Sequence, residues 1–318
     1  MQAVEFGSQG LKWHQDVAPH PQAGLIPVRV LTAGICETDL QLIQGYMGFQ
    51  GILGHEFVGI AESGVFSGQR VCGEINCACR KCDTCRQGRF THCPNRTVIG
   101  ILNHDGAFAE RVWVPEENLH PIPDSISNDE AVFVEPLAAA FRIGEQLDLS
   151  RFHQVIVLGD GRLGNLCAQV LQLQGKSPLV IGKHESKLNR LRSMGIRTEL
   201  LSEASQNQVA DLVVDCTGSA TGFQDACRLT RPQGTIVMKT TVAGQTGPNL
   251  APVVIDEFQI VGSRCGPFPP AIEALARREV QVTDLITGRF PLCDAIQAFE
   301  QARQKGQMKI LFDISNEE

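Results

Sequence analysis

Apolar and polar positions fall into two textures along the chain, with the change near residue 140. Before it, Val28-Arg29-Val30-Leu31, Val58-Gly59-Ile60-Ala61 and Val112-Trp113-Val114 stand between glycine- and proline-rich turns. Short runs of β-branched and aromatic residues bounded by turn signals read as strands, so this part is mostly β. After it, short apolar runs alternate with longer amphipathic stretches. Strands are expected at Val155–Leu158, Leu179–Ile181, Leu212–Val214 and Thr235–Met238. Helices are expected at Leu163–Gln174, Glu185–Met194 and Ala220–Leu229. Strand alternating with helix implies a parallel sheet covered by helices on both faces. The tail reads as a helix over Asp294–Lys305 and a strand over Lys309–Ile314, and its pattern assigns it to neither part. No internal repeat or low-complexity segment interrupts this plan.

A length of 318 residues suits two domains. The net charge of -7, with both signs mixed along the chain, excludes a basic nucleic-acid face. No apolar run reaches the roughly 18–20 residues that span a bilayer, so no membrane partner is expected. Met1–Gly10 lacks the basic flank and apolar core of a secretion signal, and a cytoplasmic location is expected. The 12 cysteines change the picture. In a reducing compartment they should not pair. Cys72, Cys77, Cys79, Cys82, Cys85 and Cys93 crowd together, which calls for a metal. Cys167, Cys216, Cys227, Cys265 and Cys293 are scattered and read as small buried apolar residues.

The sharpest motif is Cys79-x2-Cys82-x2-Cys85-x7-Cys93. Four thiolates in a short loop can wrap one tetrahedral zinc, and a site with no open position is structural. Cys77 could displace Cys79 as a ligand, but only Cys79 completes the even spacing. A second set is split along the chain: Cys36-Glu37-Thr38-Asp39, then Gly54-His55-Glu56, then Glu135-Pro136-Leu137. Cysteine, histidine and carboxylate are the ligand types of catalytic zinc, which keeps a position open for water or substrate. A third motif, Gly159-Asp160-Gly161-Arg162-Leu163-Gly164, closes an apolar strand and opens an amphipathic helix, the context that a dinucleotide-binding turn requires. Gly159 would permit the turn, Gly161 would let a pyrophosphate approach, and Gly164 would let helix pack on strand. The helix N-terminus would then face the phosphates.

Together these residues resemble the medium-chain dehydrogenase/reductase family, in its zinc-dependent alcohol dehydrogenase-like, polyol and threonine dehydrogenase branches. The resemblance runs in order from Gly34-Ile35-Cys36-x-Thr38-Asp39 to the closing Gly306-x-x-Lys309. It implies an α/β protein: a GroES-like, mostly β catalytic domain over 1–140, a Rossmann doubly wound parallel-sheet domain over 141–268, and a return segment over 269–318. It implies two zinc ions per subunit, one on Cys79, Cys82, Cys85 and Cys93, the other on Cys36, His55 and a carboxylate, with Glu56 and Glu135 able to exchange. Thr38 would bond the substrate oxygen and pass on its proton. Gly159, Gly161, Arg162, Leu163, Gly164, Gly182, Lys183, His184 and Thr217 would hold the cofactor, and Lys309 would stand near its phosphates. The implied activity is reversible hydride transfer between a small alcohol or carbonyl partner and NAD(P), in a homodimer or homotetramer. A cofactor-binding relative without turnover, serving as redox sensor or scaffold, is the rival reading.

Three features depart from the family. Gln41 stands where many members place a relay histidine, so protons must leave another way. The second Rossmann strand ends in Gly182-Lys183-His184 rather than in aspartate, which predicts NADP in preference to NAD: no carboxylate repels a 2′-phosphate, and two basic residues follow. The chain is also shorter than most relatives, with loops trimmed around Ser63–Ser67. Tyr46, Met47 and Phe49 could line a pocket or simply pack their loop.

Overall fold

The computed structural model describes residues 1–204, 209–241 and 247–314. The chain forms two compact units: Met1–Glu135 with Ala271–Glu318, and Pro136–Pro270.

The first unit is built on a mixed sheet. Its strands lie in the order Leu119–Pro121, Arg70–Gly73, Glu56–Ala61, Ile26–Gly34, Lys309–Asp313 and Ile286–Pro291, and Arg111–Val114 also pairs with Ile26–Gly34. A smaller sheet joins Gly10–His14, Ala3–Gly7 and Gly51–Ile52. Alternation explains the central strand: Val28 and Val30 are buried while Arg29 between them is exposed. The tail strand settles what its own pattern left open. Lys309–Asp313 runs antiparallel to Ile26–Gly34, with Leu311 opposite Gly34, so the tail belongs to the first unit. An aromatic cluster holds it there: the Phe312 ring meets Phe108 edge-on at 5.0 Å, and Phe108 meets Phe299 at 6.0 Å.

The second unit is a six-stranded parallel sheet in the order Arg197–Leu200, Leu179–Gly182, Val155–Leu158, Ala210–Asp215, Thr230–Met238, Gln259–Gly262. In chain order this is 3-2-1-4-5-6, the doubly wound arrangement whose ligand crevice opens where the order reverses. Val155–Leu158 is buried throughout because both faces of a parallel sheet are covered. The helix Arg162–Leu173 packs its buried face, Leu166 to Leu171, inward. Ile156, Leu158, Ile181, Val213, Phe223 and Ile236 form part of the core. The two edge strands, Arg197–Leu200 and Gln259–Gly262, were not foreseen. Of the five scattered cysteines expected to be buried, Cys167, Cys216 and Cys227 are; Cys265 is half-buried and Cys293 is exposed. No described helix is long and apolar enough to cross a membrane.

Candidate active site

Strand register gathers the first set of residues. Gly34 lies opposite Glu56 on one neighbouring strand and opposite Leu311 on the other. The chain just beyond Gly34 therefore runs level with His55 and with the start of the tail strand. Cys36, His55 and Glu56 converge there, each offering a ligand atom within 4.8 Å of the others. Gly54 permits the approach: its φ is +97°, and a Cβ on it would lie 2.4 Å from the Phe108 ring. His55 and Glu56 are buried. Thr38 sits in the first turn of the helix Glu37–Leu42, its Oγ1 at 3.8 Å from Cys36 Sγ.

Asp39, one residue on, is fully buried, and its role is not apparent from the sequence. Its Oδ2 accepts the Cys36 N–H at 2.8 Å, and its Oδ1 faces His55 Nδ1 at 3.4 Å. The 3.4 Å separation is ion-pair range and long for a hydrogen bond. A carboxylate behind one ring nitrogen leaves the other for a metal, the arrangement of many zinc-bound histidines. Burial opposes a proton on His55, but the charges and bonds of Asp39 and Cys36 outweigh it and hold the ring well above its usual range. The donor set fits a divalent zinc ion. A buried histidine and carboxylate meet a half-buried thiol, and Glu56 Oε1 is buried with no hydrogen-bond partner among the described residues.

Lys309 corrects an expectation. It is wholly buried, with its ammonium on Glu56 Oε2 and 5.3 Å from the Phe133 ring centre. Burial lowers its pKa to about 8 against the pull of Cys36 and Asp39. A buried ammonium tied to a buried carboxylate does not reach cofactor phosphates. Glu135 is a second difference. It is half-buried at the start of the helix Val134–Gln146 and is not among the three converging groups. Of the three loop residues, Phe49 is buried, Tyr46 half-buried and Met47 exposed.

The second set also converges. Cys79, Cys82, Cys85 and Cys93 lie within 4.8 Å of one another. Neighbouring sulfurs are 3.5 Å (Cys82–Cys85, Cys79–Cys93) and 3.8 Å (Cys82–Cys93) apart. A tetrahedron with Zn–S bonds of about 2.3 Å has edges of about 3.8 Å, whereas a disulfide needs about 2.05 Å. The amides of Lys81 and Cys82 point at Cys79 Sγ and bring its thiol down to about 6. Cys77 stays outside the cluster; burial pushes its thiol up to about 12.

In the second unit, each glycine of the turn has a distinct geometry. Gly159 has φ +116°, and Gly164 comes so close that a Cβ on it would lie 2.0 Å from the Gly159 carbonyl oxygen. A Cβ on Gly161 would meet nothing within 4 Å, which leaves the open cradle that a pyrophosphate needs at the head of Arg162–Leu173. Arg162 and Leu163 are half-buried there. The Thr217 hydroxyl donates to Asp215 Oδ1 at 2.8 Å. Gly182 is buried and Lys183 and His184 are exposed. The space beside Gly182 is filled by a residue the sequence reading passed over: a Cβ on Gly182 would lie 2.5 Å from Asp160 Cβ.

Such a pair of units, one with two clustered ligand sets and one with an open glycine turn, defines a zinc-binding, dinucleotide-using oxidoreductase. Residues 22–124 match the family model of the alcohol dehydrogenase GroES-like domain, and residues 163–278 that of the zinc-binding dehydrogenases. A sorbitol dehydrogenase of Halalkalibacterium halodurans is 26% identical, with 92% of each chain covered. The alcohol dehydrogenase of Thermus sp. ATN1 superposes with a TM-score of 0.88 at 26% identity, covering 99% of this chain and 100% of that one. A short chain alcohol dehydrogenase of Escherichia coli CFT073, complexed with NADH, shares the fold with a TM-score of 0.88 at 24% identity over 99% of each chain. The chain belongs to the medium-chain, zinc-dependent alcohol dehydrogenase-like family, and it is an oxidoreductase of alcohols with a nicotinamide cofactor.

Proposed function

We propose that this chain interconverts a polyol-like alcohol and its carbonyl compound, with one zinc ion for the chemistry and a second for structure. The observation that carries the reading is the meeting of half-buried Cys36 with buried His55 and Glu56 at one point. The sorbitol dehydrogenase among its relatives supports the polyol class.

When bound, zinc supplies a Lewis acid for the substrate oxygen and the nicotinamide supplies the hydride acceptor. Cys36 and His55 would hold the ion, with Asp39 fixing the ring and the Cys36 backbone together. Glu56 would act through Oε1, its other oxygen being anchored by Lys309, and Glu135 would alternate with it as the third ligand. The Thr38 hydroxyl, beside Cys36, would accept a hydrogen bond from the alcohol O–H and, as it takes that proton, release its own towards the cofactor ribose and water. Gln41 cannot relay it onward, because an amide does not titrate, and its side chain is instead bonded to Glu37 at 2.9 Å. Gly159, Gly161, Gly164 and the first turn behind them would seat the pyrophosphate. The complete set of Cys36, Thr38, His55 and Glu56 weighs against a sensor without turnover.

The reading includes a self-associated chain in the cytoplasm. Among the described residues the strand Gln259–Gly262 pairs on one side only, with Thr230–Met238, and Ile260 within it is 41% exposed. Such an edge is suited to a second copy. Four clustered thiols suit a reducing compartment. The NADP preference expected from Gly182, Lys183 and His184 loses its first premise, because the side chain of Asp160 puts a carboxylate at that position.

The test is a screen of polyols, amino alcohols and simple alcohols with both cofactors, read as reduced-nicotinamide absorbance before and after chelation. Alcohol-dependent reduction that chelation abolishes and zinc restores is the expected result. Turnover indifferent to chelation would refute the zinc assignment.

A further inference from the structure

We propose that Asp160, inside the glycine turn, is the residue that reads the adenosine ribose and makes this chain select NAD over NADP. The proposal rests on the dinucleotide reading above. In doubly wound folds the ribose 2′-hydroxyl is held by a carboxylate at the end of the second strand. Here that strand, Leu179–Gly182, ends in a residue with no side chain. The side chain of Asp160 has moved into the vacated volume. A Cβ on Gly182 would lie 2.5 Å from Asp160 Cβ, 2.6 Å from Oδ2 and 2.8 Å from Cγ. The carboxylate is thus present at the second strand's end, but the first strand's turn supplies it.

Its hydrogen bonds fix it there. Oδ2 accepts the backbone N–H groups of Lys183 at 2.7 Å and His184 at 2.6 Å. His184 Nδ1 stands 3.1 Å from each carboxylate oxygen. A carboxylate has about four lone-pair sites. Three donors crowd Oδ2, whereas among the described residues the shared ring nitrogen alone reaches Oδ1, so Oδ1 keeps capacity for a ribose hydroxyl. The side chain is 9% exposed and cannot swing away from a ligand. A 2′-phosphate would add a charge of about −1.5 to −2 beside this fixed anion. The basic pair offers it less than the sequence suggests, since the Nδ1 of His184 is already engaged with Asp160.

The wild-type full chain is titrated calorimetrically with ADP-ribose and with 2′-phospho-ADP-ribose, which carry no nicotinamide and report no turnover. ADP-ribose should bind at least about tenfold more tightly, as a like-charge contact demands. Asp160→Asn, whose folding is checked by thermal melting, should bring the two affinities close together, chiefly by a gain for the phosphorylated ligand. Gly182→Asp alone should lose ADP-ribose binding through its clash with Asp160. The exchange variant, Asp160→Gly with Gly182→Asp, should recover both binding and the preference. A wild type that binds the 2′-phosphorylated ligand as tightly or better would overturn the proposal, as would an Asp160→Asn chain that folds and keeps the wild-type ratio. Binding of neither ligand would overturn the dinucleotide reading itself.

Discussion

Replacing Asp39 by asparagine tests the positioning of the metal ligands without touching one of them. The side chain keeps its size but loses its charge. In the wild type one oxygen accepts the Cys36 N–H at 2.8 Å and the other faces His55 Nδ1 at 3.4 Å. An asparagine has a single acceptor oxygen, so one of these two contacts must meet its NH2 group instead, donor against donor. A hydrogen bond to a charged group contributes about 1.5–3 kcal/mol. Losing one corresponds to a factor of about 10–150, in line with the 10–100-fold that residues behind zinc ligands typically contribute. Competition for zinc against a chromophoric chelator should therefore show Asp39→Asn binding its first-released zinc about 10–100-fold more weakly. A zinc ion bound by the four-cysteine loop should be unaffected. Equal affinity in the variant and the wild type would show that Asp39 does not position His55, and the reading of that pair would be wrong.

Cys82→Ser combined with Cys85→Ser should reduce the zinc content from two ions per chain to one by elemental analysis; two ions in that variant would remove the structural site. Thr38→Ala should lower the maximal rate by about 10²–10⁴-fold and Thr38→Ser far less, because proton transfer needs the hydroxyl; equal rates would remove Thr38 from the mechanism. Asp211 offers a pH test away from the site. Burial opposes its charge, but Arg231 Nε at 2.6 Å and the amides of His153 and Gln154 at 2.9 and 2.8 Å bring its pKa down to about 2. With an unfolded value of about 3.9, it contributes about 2.5 kcal/mol above pH 4, a contribution lost as pH falls through about 2. Asp211→Asn should cost about that much in denaturant melts at pH 7 and about half as much at pH 3; a pH-independent cost would refute the assignment.

The fold was legible where burial writes a pattern. Val155–Leu158 is an unbroken apolar run because it lies at the centre of a parallel sheet. Arg197–Leu200 and Gln259–Gly262 are edge strands whose residues are half-buried or exposed, and an edge imposes no such pattern. The two clusters of candidate ligands were legible because cysteine and histidine are rare residue types that stand here at telling spacings. Residues whose role depends on register were not. Lys309 reads from the sequence as a cation for the cofactor phosphates, whereas the tail strand places it against Glu56, and Asp39 gives no signal beyond its place after Cys36. Asp160 was hidden for a different reason. The sequence shows a missing carboxylate at position 182, while the compensating one lies on another strand's turn, and only the packing of Gly182 reveals it. A small residue at a strand end followed by two polar residues, opposite an aspartate between the turn glycines, is the signal that could have found it.

The central claim assigns metal chemistry to the first unit and dinucleotide binding to the second. The His55→Ala chain tests it most directly, with alcohol-dependent turnover and affinity for reduced cofactor measured on the same preparation, the latter by fluorescence titration. The account predicts turnover lost and cofactor affinity within about threefold of wild type, since His55 lies in one unit and the glycine turn in the other. Retained turnover, or a loss of cofactor affinity comparable to the loss of rate, would contradict it.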